Sequence, residues 1–168
     1  MLRQRDPTEQ KELPLIDAVA AAGCEYFVID AGWYAEQSED WWSTVGLWQP
    51  SKSRWLRRLR FVLDRIREKG MVPGLWLEPE VVGKNSILAK KADSWFFMRH
   101  GRRIIKGSRL FLDLRNPEVR SHLDGVVDRL VNEYGVGYIK MDYNCDTLEG
   151  TNSRTHSRRG AVLSAGNA

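Results

Sequence analysis

The chain has 168 residues, 42% of them hydrophobic, and a formal net charge of +4 at pH 7, which suits one domain with a sizeable core. No run of about 18 apolar residues marks a membrane span, and the polar opening residues 1–8 lack the apolar stretch of a signal peptide. Arginines gather at 54–67, 99–109 and 154–159, but no nucleic-acid-binding motif accompanies them, so they read as solvated faces. Two cysteines, Cys24 and Cys145, make neither a disulfide framework nor a metal pair and suit a reducing, cytoplasmic compartment.

In chain order, 13–22 reads as a helix with Gly23 as its stop. Residues 25–30, Glu-Tyr-Phe-Val-Ile-Asp, read as a buried strand ending at Ala-Gly-Trp. A tryptophan-rich loop follows over 34–53. Trp55, Leu59, Val62 and Ile66 recur at helical spacing, widened by Leu56 and Leu63 and closed by Gly70. Residues 71–77 form a second strand that stops at Glu78-Pro79-Glu80, and 86–91 a short helix. Residues 109–114 form a third strand. Asn116 then caps a helix that has Pro117 at its first position and Val119, Leu123, Val126 or Val127, Leu130 and Tyr134 on its apolar stripe. Gly135 closes that helix, and 137–142 is a fourth strand.

Strands alternating with helices imply parallel βαβ units in an α/β fold. Each strand runs apolar and then stops in polar or aromatic residues: Asp30, then Trp76 with Glu78 and Glu80, then Asp113, then Lys140 with Asp142 and Asn144. Function carried on successive strand C-termini is the habit of the (β/α)₈ TIM barrel. No glycine-rich phosphate loop follows the first strand, which weakens a dinucleotide-binding reading. Residues 1–148 therefore read as a partial (β/α)₈ barrel of about four units. A complete barrel needs roughly 250 residues. Residues 149–168 read as a polar tail opening onto a second half.

Alternate strand residues share a face, so Tyr138, Lys140, Asp142 and Asn144 are expected to point inward. A lysine and an aspartate two apart on an inward face are costly unless paired or functional, and Lys140 would keep Asp142 ionised. An ionised carboxylate at a strand end is what attack at an anomeric carbon requires. A structural ion pair is the rival reading, and the position at a strand's C-terminal end favours function. Seven tryptophans offer flat faces for sugar rings, with core packing as the rival use. Glu78 and Glu80 read equally as catalytic groups or as rim structure. Asp113 reads as a support for its neighbours, Cys145 as pocket lining and His122 as an exposed helix residue.

Four segments in order, Phe27-Val-Ile-Asp-Ala-Gly-Trp33, Gly74-Leu-Trp-Leu-Glu-Pro-Glu-Val-Val82, Leu112-Asp113 and Tyr138-Ile-Lys-Met-Asp-Tyr-Asn144, resemble the catalytic barrel of glycoside hydrolase family 36, the melibiase-type α-galactosidases. The likeness covers about residues 13–146. It implies a retaining hydrolase of α-galactosides that uses no cofactor or metal, with Asp142 as nucleophile. It implies that Lys140 and Asn144 hold sugar hydroxyls. It places Asp30 on galactose hydroxyls, Trp33 in the binding region and Trp76 as a stacking wall; Gly74, on the same strand face, is expected to leave space beside that ring. It puts the acid/base on a later strand beyond residue 168 and leaves oligomeric assembly of the full-length enzyme open. Ala31 stands where the family often has a second aspartate, and Gly107 where it often has an arginine. The rival readings are a metal-dependent TIM-barrel enzyme of enolase type and a non-catalytic, truncated sugar-binding remnant. Neither rival, nor the main reading, involves nucleic acid or a membrane.

Overall fold

A computed structural model describes residues 6–145; the polar tail at 149–168 lies outside the described residues. Helix α1 (Glu9–Ala21) starts four residues earlier than the apolar pattern suggests. Two acids, Glu9 and Glu12, occupy its first turn, where the helix dipole favours negative charge. Gly23 takes φ +78 just past its end, the left-handed stop that glycine adopts without penalty. Strand β1 (Tyr26–Ile29) follows. The tryptophan-rich loop contains a short helix, α2 (Trp41–Thr44), because the Asp40 carboxylate accepts from the backbone N–H groups of Trp42 and Ser43 at 3.2 Å each.

Helix α3 (Leu59–Glu68) buries Leu59, Val62, Leu63 and Ile66 on the stripe read from spacing. Strand β2 (Val72–Leu77) is buried along nearly its whole length. Next come β3 (Val81–Gly83), β4 (Met98–Arg99), β5 (Arg102–Arg103), β6 (Ile105–Lys106) and β7 (Arg109–Phe111). Helix α4 (Pro117–Asp128) is capped by Asn116, whose side chain accepts from Glu118 N at 2.9 Å. Strand β8 (Tyr138–Met141) is the last element among the described residues.

β1, β2 and β8 form one parallel sheet in the order β1-β2-β8. The register pairs Ile29 with Leu75, and Trp76 with Lys140, so the ends of all three strands reach one rim. The parallel sheet has three strands among the described residues, where four were expected. Arg109–Phe111 is a strand, but it pairs antiparallel with β3 on one side and β6 on the other. With both edges occupied it cannot enter the parallel sheet. Residues 81–112 are thus an antiparallel excursion between β2 and α4, with a core of Val82, Leu88, Trp95, Phe96, Leu110, Leu112 and Val119.

The main core lies between the parallel sheet, α1 and α3. It includes Ile16, Ile29, Leu63, Ile66, Leu75 and Leu130 together with Trp33, Trp48, Trp55 and Trp76. Among the described residues no helix is long and apolar enough to cross a membrane.

Candidate active site at the rim of the parallel sheet

Asp142 follows β8 directly, its backbone N–H donating to Leu77 O at 2.9 Å. Its carboxylate is held by the Trp76 indole, whose Nε1 donates to Oδ2 at 2.9 Å, and by Tyr143 N, which donates to Oδ1 at 3.0 Å. The Asp142 carboxyl is held below the usual carboxylate range. The Trp76 hydrogen bond is the largest cause and acts against partial burial; the Asn144 side chain and the Tyr143 amide lower it further, and the Lys140 charge contributes least.

This corrects the expected Lys140–Asp142 pair. Lys140 Nζ instead donates to Asp30 Oδ2 at 3.1 Å. The parallel register carries Lys140 across β2 toward β1, so the nearest carboxylate is the one at the end of β1. Asp30 also takes its own neighbour's amide, Ala31 N, on Oδ1 at 2.7 Å. Asp30, Lys140, Asp142 and Asn144 thus stand at one rim, all at least partly exposed.

The two tryptophans expected to meet sugar are both buried in the structure. Trp33 and Trp76 are 0% and 1% exposed. Each indole is enclosed by its neighbours: Trp33 and Trp48 centroids lie 6.2 Å apart, Trp48 and Trp76 5.8 Å, Trp41 and Trp76 5.9 Å. No space opens beside Gly74, where a Cβ would meet Val28 Cγ2 at 2.9 Å and Tyr138 O at 3.0 Å. The polar ends of these rings are aligned instead. Trp55 Nε1 donates to Trp33 O at 2.8 Å, Trp33 Nε1 to Trp76 O at 2.9 Å, and Trp76 Nε1 to Asp142. Buried indole N–H groups need partners, and here the last partner in the series is the rim carboxylate.

The two glutamates beside Pro79 separate. Glu78 is buried and ion-paired with the equally buried Arg109, so it cannot touch a substrate. Glu80 is partly exposed. Its carboxyl is pushed up, first by burial, then by the charges of Glu78 and Asp142, with its own backbone amide acting against the rise. Its Oε2 is buried without a hydrogen-bond partner among the described residues.

Glu12 of α1, not singled out from sequence, is pushed up to about 7, mainly by burial and further by the charge of Asp30. Asp113 is buried and takes Arg115 Nε and Nη2 at 2.9 Å each, the supporting role expected of it. Cys145 is buried. His122 is half-buried rather than exposed, bonded to Gly46 O at 3.2 Å beside the Trp95 ring.

Comparison with known proteins decides the family. The melibiase family model matches residues 4–164. The chain belongs to the melibiase family. Its relatives include alpha-galactosidase 1 of Pediococcus pentosaceus, 30% identical over 140 residues, covering 83% of this chain and 19% of the relative. Alpha-galactosidase AgaA of Geobacillus stearothermophilus is 29% identical, with the same coverage.

Among solved structures, AgaA in complex with raffinose, carrying the A355E and D548N substitutions, superposes with TM-score 0.73 at 28% identity, covering 82% of this chain and 19% of that one. The alpha-galactosidase of Lactobacillus brevis gives TM-score 0.79 at 25% identity, covering 92% and 21%. The chain thus spans about a fifth of the length of the relatives it matches. Among the described residues no group of three or more His, Cys, Asp or Glu is placed to hold a metal ion.

Proposed function

We propose that this chain is part of the catalytic (β/α)₈ barrel of a retaining glycoside hydrolase that acts on α-galactosides. The observation that carries the reading is the carboxylate of Asp142, kept ionised at the C-terminal rim of a parallel sheet by a buried indole donor. Attack by Asp142 on the anomeric carbon would form a glycosyl-aspartate ester as the leaving oxygen departs with a proton. Water would then cleave the ester and release the sugar.

The acid/base that serves both steps lies outside the described residues. Lys140 and Asp30, paired at 3.1 Å, and the exposed Asn144 are placed to bind ring hydroxyls, and the pairing fixes Lys140 before a sugar arrives. Family membership supports the substrate class: the relatives are named alpha-galactosidases, and AgaA variants are found with raffinose and with stachyose.

The test is Asp142→Asn in the full-length protein that carries this segment, assayed on an aryl α-galactoside. Turnover should fall by several orders of magnitude while the fold persists. Retention of more than about a tenth of wild-type kcat/KM, a loss below 1.4 kcal/mol, would overturn the assignment.

A further inference from the structure

The backbone ladder between β2 and β8 ends where the nucleophile begins. Its last registered pair is Leu77 with Met141, and Asp142 N still donates to Leu77 O. Two residues on from Leu77, the chain reaches Pro79, which has no N–H to offer the facing strand. Among the described residues β8 pairs with no strand but β2, so the strand ladder gives no support past Asp142.

The chain is held by a side chain instead. Glu78 Oε1 accepts the backbone N–H of Asn144 at 2.8 Å. Its other oxygen, Oε2, accepts from Arg109 Nη1. Both side chains are essentially without solvent, at 1% and 0% exposure. Arg109 is itself fixed: Nε donates to Trp42 O at 3.1 Å, and the guanidinium lies 3.4 Å from the centroid of the Trp42 ring. The antiparallel excursion therefore reaches through Arg109 and Glu78 to the backbone of Asn144, two residues beyond Asp142.

We propose that Glu78 and Arg109 are positioning residues for Asp142, anchoring the backbone N–H of Asn144 beyond the end of the β2–β8 ladder and fixing the direction of the nucleophilic carboxylate. This rests on the reading of Asp142 as nucleophile. A buried ion pair is weak evidence for stability as such, because an apolar pair of similar volume often serves as well. A free carboxylate oxygen aimed at one backbone amide beside the reacting group is a specific geometric function.

That distinction sets the test. In the full-length protein, Glu78→Met with Arg109→Met removes both charges at similar volume and deletes the acceptor for Asn144. Glu78→Gln with Arg109→Met also removes both charges but keeps an acceptor oxygen. The double-methionine protein should melt within a few degrees of wild type. Hydrogen exchange at the Asn144 amide should speed up at least about tenfold, and kcat should fall roughly 10–100-fold with KM changed less than about threefold. The glutamine variant should recover most of kcat and of the amide protection.

Wild-type Asn144 exchange and wild-type kcat in a folded double-methionine protein would overturn the proposal. Should that protein fail to fold, the glutamine variant decides: slow Asn144 exchange with near wild-type kcat supports positioning by the acceptor, and fast exchange with unchanged kcat overturns it. If wild type hydrolyses no α-galactoside, the glycosidase reading falls, while Asn144 exchange still reports whether the pair holds this segment.

Discussion

Replacing Trp76 by phenylalanine isolates the one group that acts on Asp142 most strongly. The substitution keeps an aromatic ring in the buried slot and removes the indole N–H that donates to Oδ2 at 2.9 Å. A hydrogen bond to a charged group contributes about 1.5–3 kcal/mol when water cannot replace it. Asp142 is partly exposed, so water takes up some of the loss and about 1 kcal/mol is the reasonable net figure. In transition-state terms that corresponds to roughly a fivefold drop in kcat/KM, since 1.36 kcal/mol is tenfold. The fold should lose about 1–2 kcal/mol for the smaller ring, a few degrees of melting temperature at this size.

The pH profile is the decisive measurement. The Trp76 donor favours the ionised form, so the acid limb of kcat/KM should move to higher pH in Trp76→Phe. The sign follows from the depressed carboxyl: its ionisation contributes stability above the ordinary carboxylate range, and that contribution is lost as pH falls through the folded value. An acid limb that stays in place while kcat/KM falls would show that the indole shapes the pocket without holding the carboxylate, and would refute the reasoning.

Trp76→Ala should act mainly on the fold, costing about 3–5 kcal/mol as expected for a buried aromatic; calorimetry that shows an unchanged melting temperature alongside weakened sugar binding would restore the stacking role. Glu80→Gln removes a carboxylate that burial and two neighbouring acids disfavour. It should raise the melting temperature at neutral pH, with the gain fading as pH falls and Glu80 protonates, and it should change kcat/KM less than tenfold; a 10²–10⁴-fold loss on substrates with poor leaving groups would instead make Glu80 the acid. Glu12, held at about 7, stays protonated in the fold while the unfolded chain ionises. Stability should therefore fall as pH rises from its ordinary value of 4.5 toward 7, and Glu12→Gln should flatten that window; identical melting curves of wild type and variant at pH 8 would exclude it.

The parallel units were legible because their signals are local and redundant. Apolar runs 26–29, 72–77 and 138–141 became the parallel strands, and Asn116-Pro117 and Gly135 mark the ends of the last helical segment where the structure has them. The antiparallel excursion went unread although two of its turns are written in the sequence. His100-Gly101 joins β4 to β5 and Gly107-Ser108 joins β6 to β7, all four residues at positive φ, the arrangement that two-residue hairpins favour. Their flanking strands are only two or three residues long and rich in arginine, so no alternation of apolar and polar residues announces them. The strand at 109–111 was found by its apolar content, but its partners could not be, because register and direction are set by these turns.

At the site the types of residue were readable and their pairings were not. Strand periodicity brought Lys140, Asp142 and Asn144 together, and a lysine two residues from an aspartate invites pairing along the strand. Lysine, however, has a long stem, and the parallel register offers it the end of β1 across β2, where Asp30 waits with a partly exposed carboxylate. Asp142 is then left for a donor from the adjacent strand, and the indole of Trp76 supplies it from below, one register step from the rim. Tryptophan count alone suggested sugar stacking, since composition says nothing about which way an N–H points. The direction is fixed by burial: a ring enclosed on every side must send its polar edge to a partner. At this rim the partner is the carboxylate on which the proposed chemistry depends.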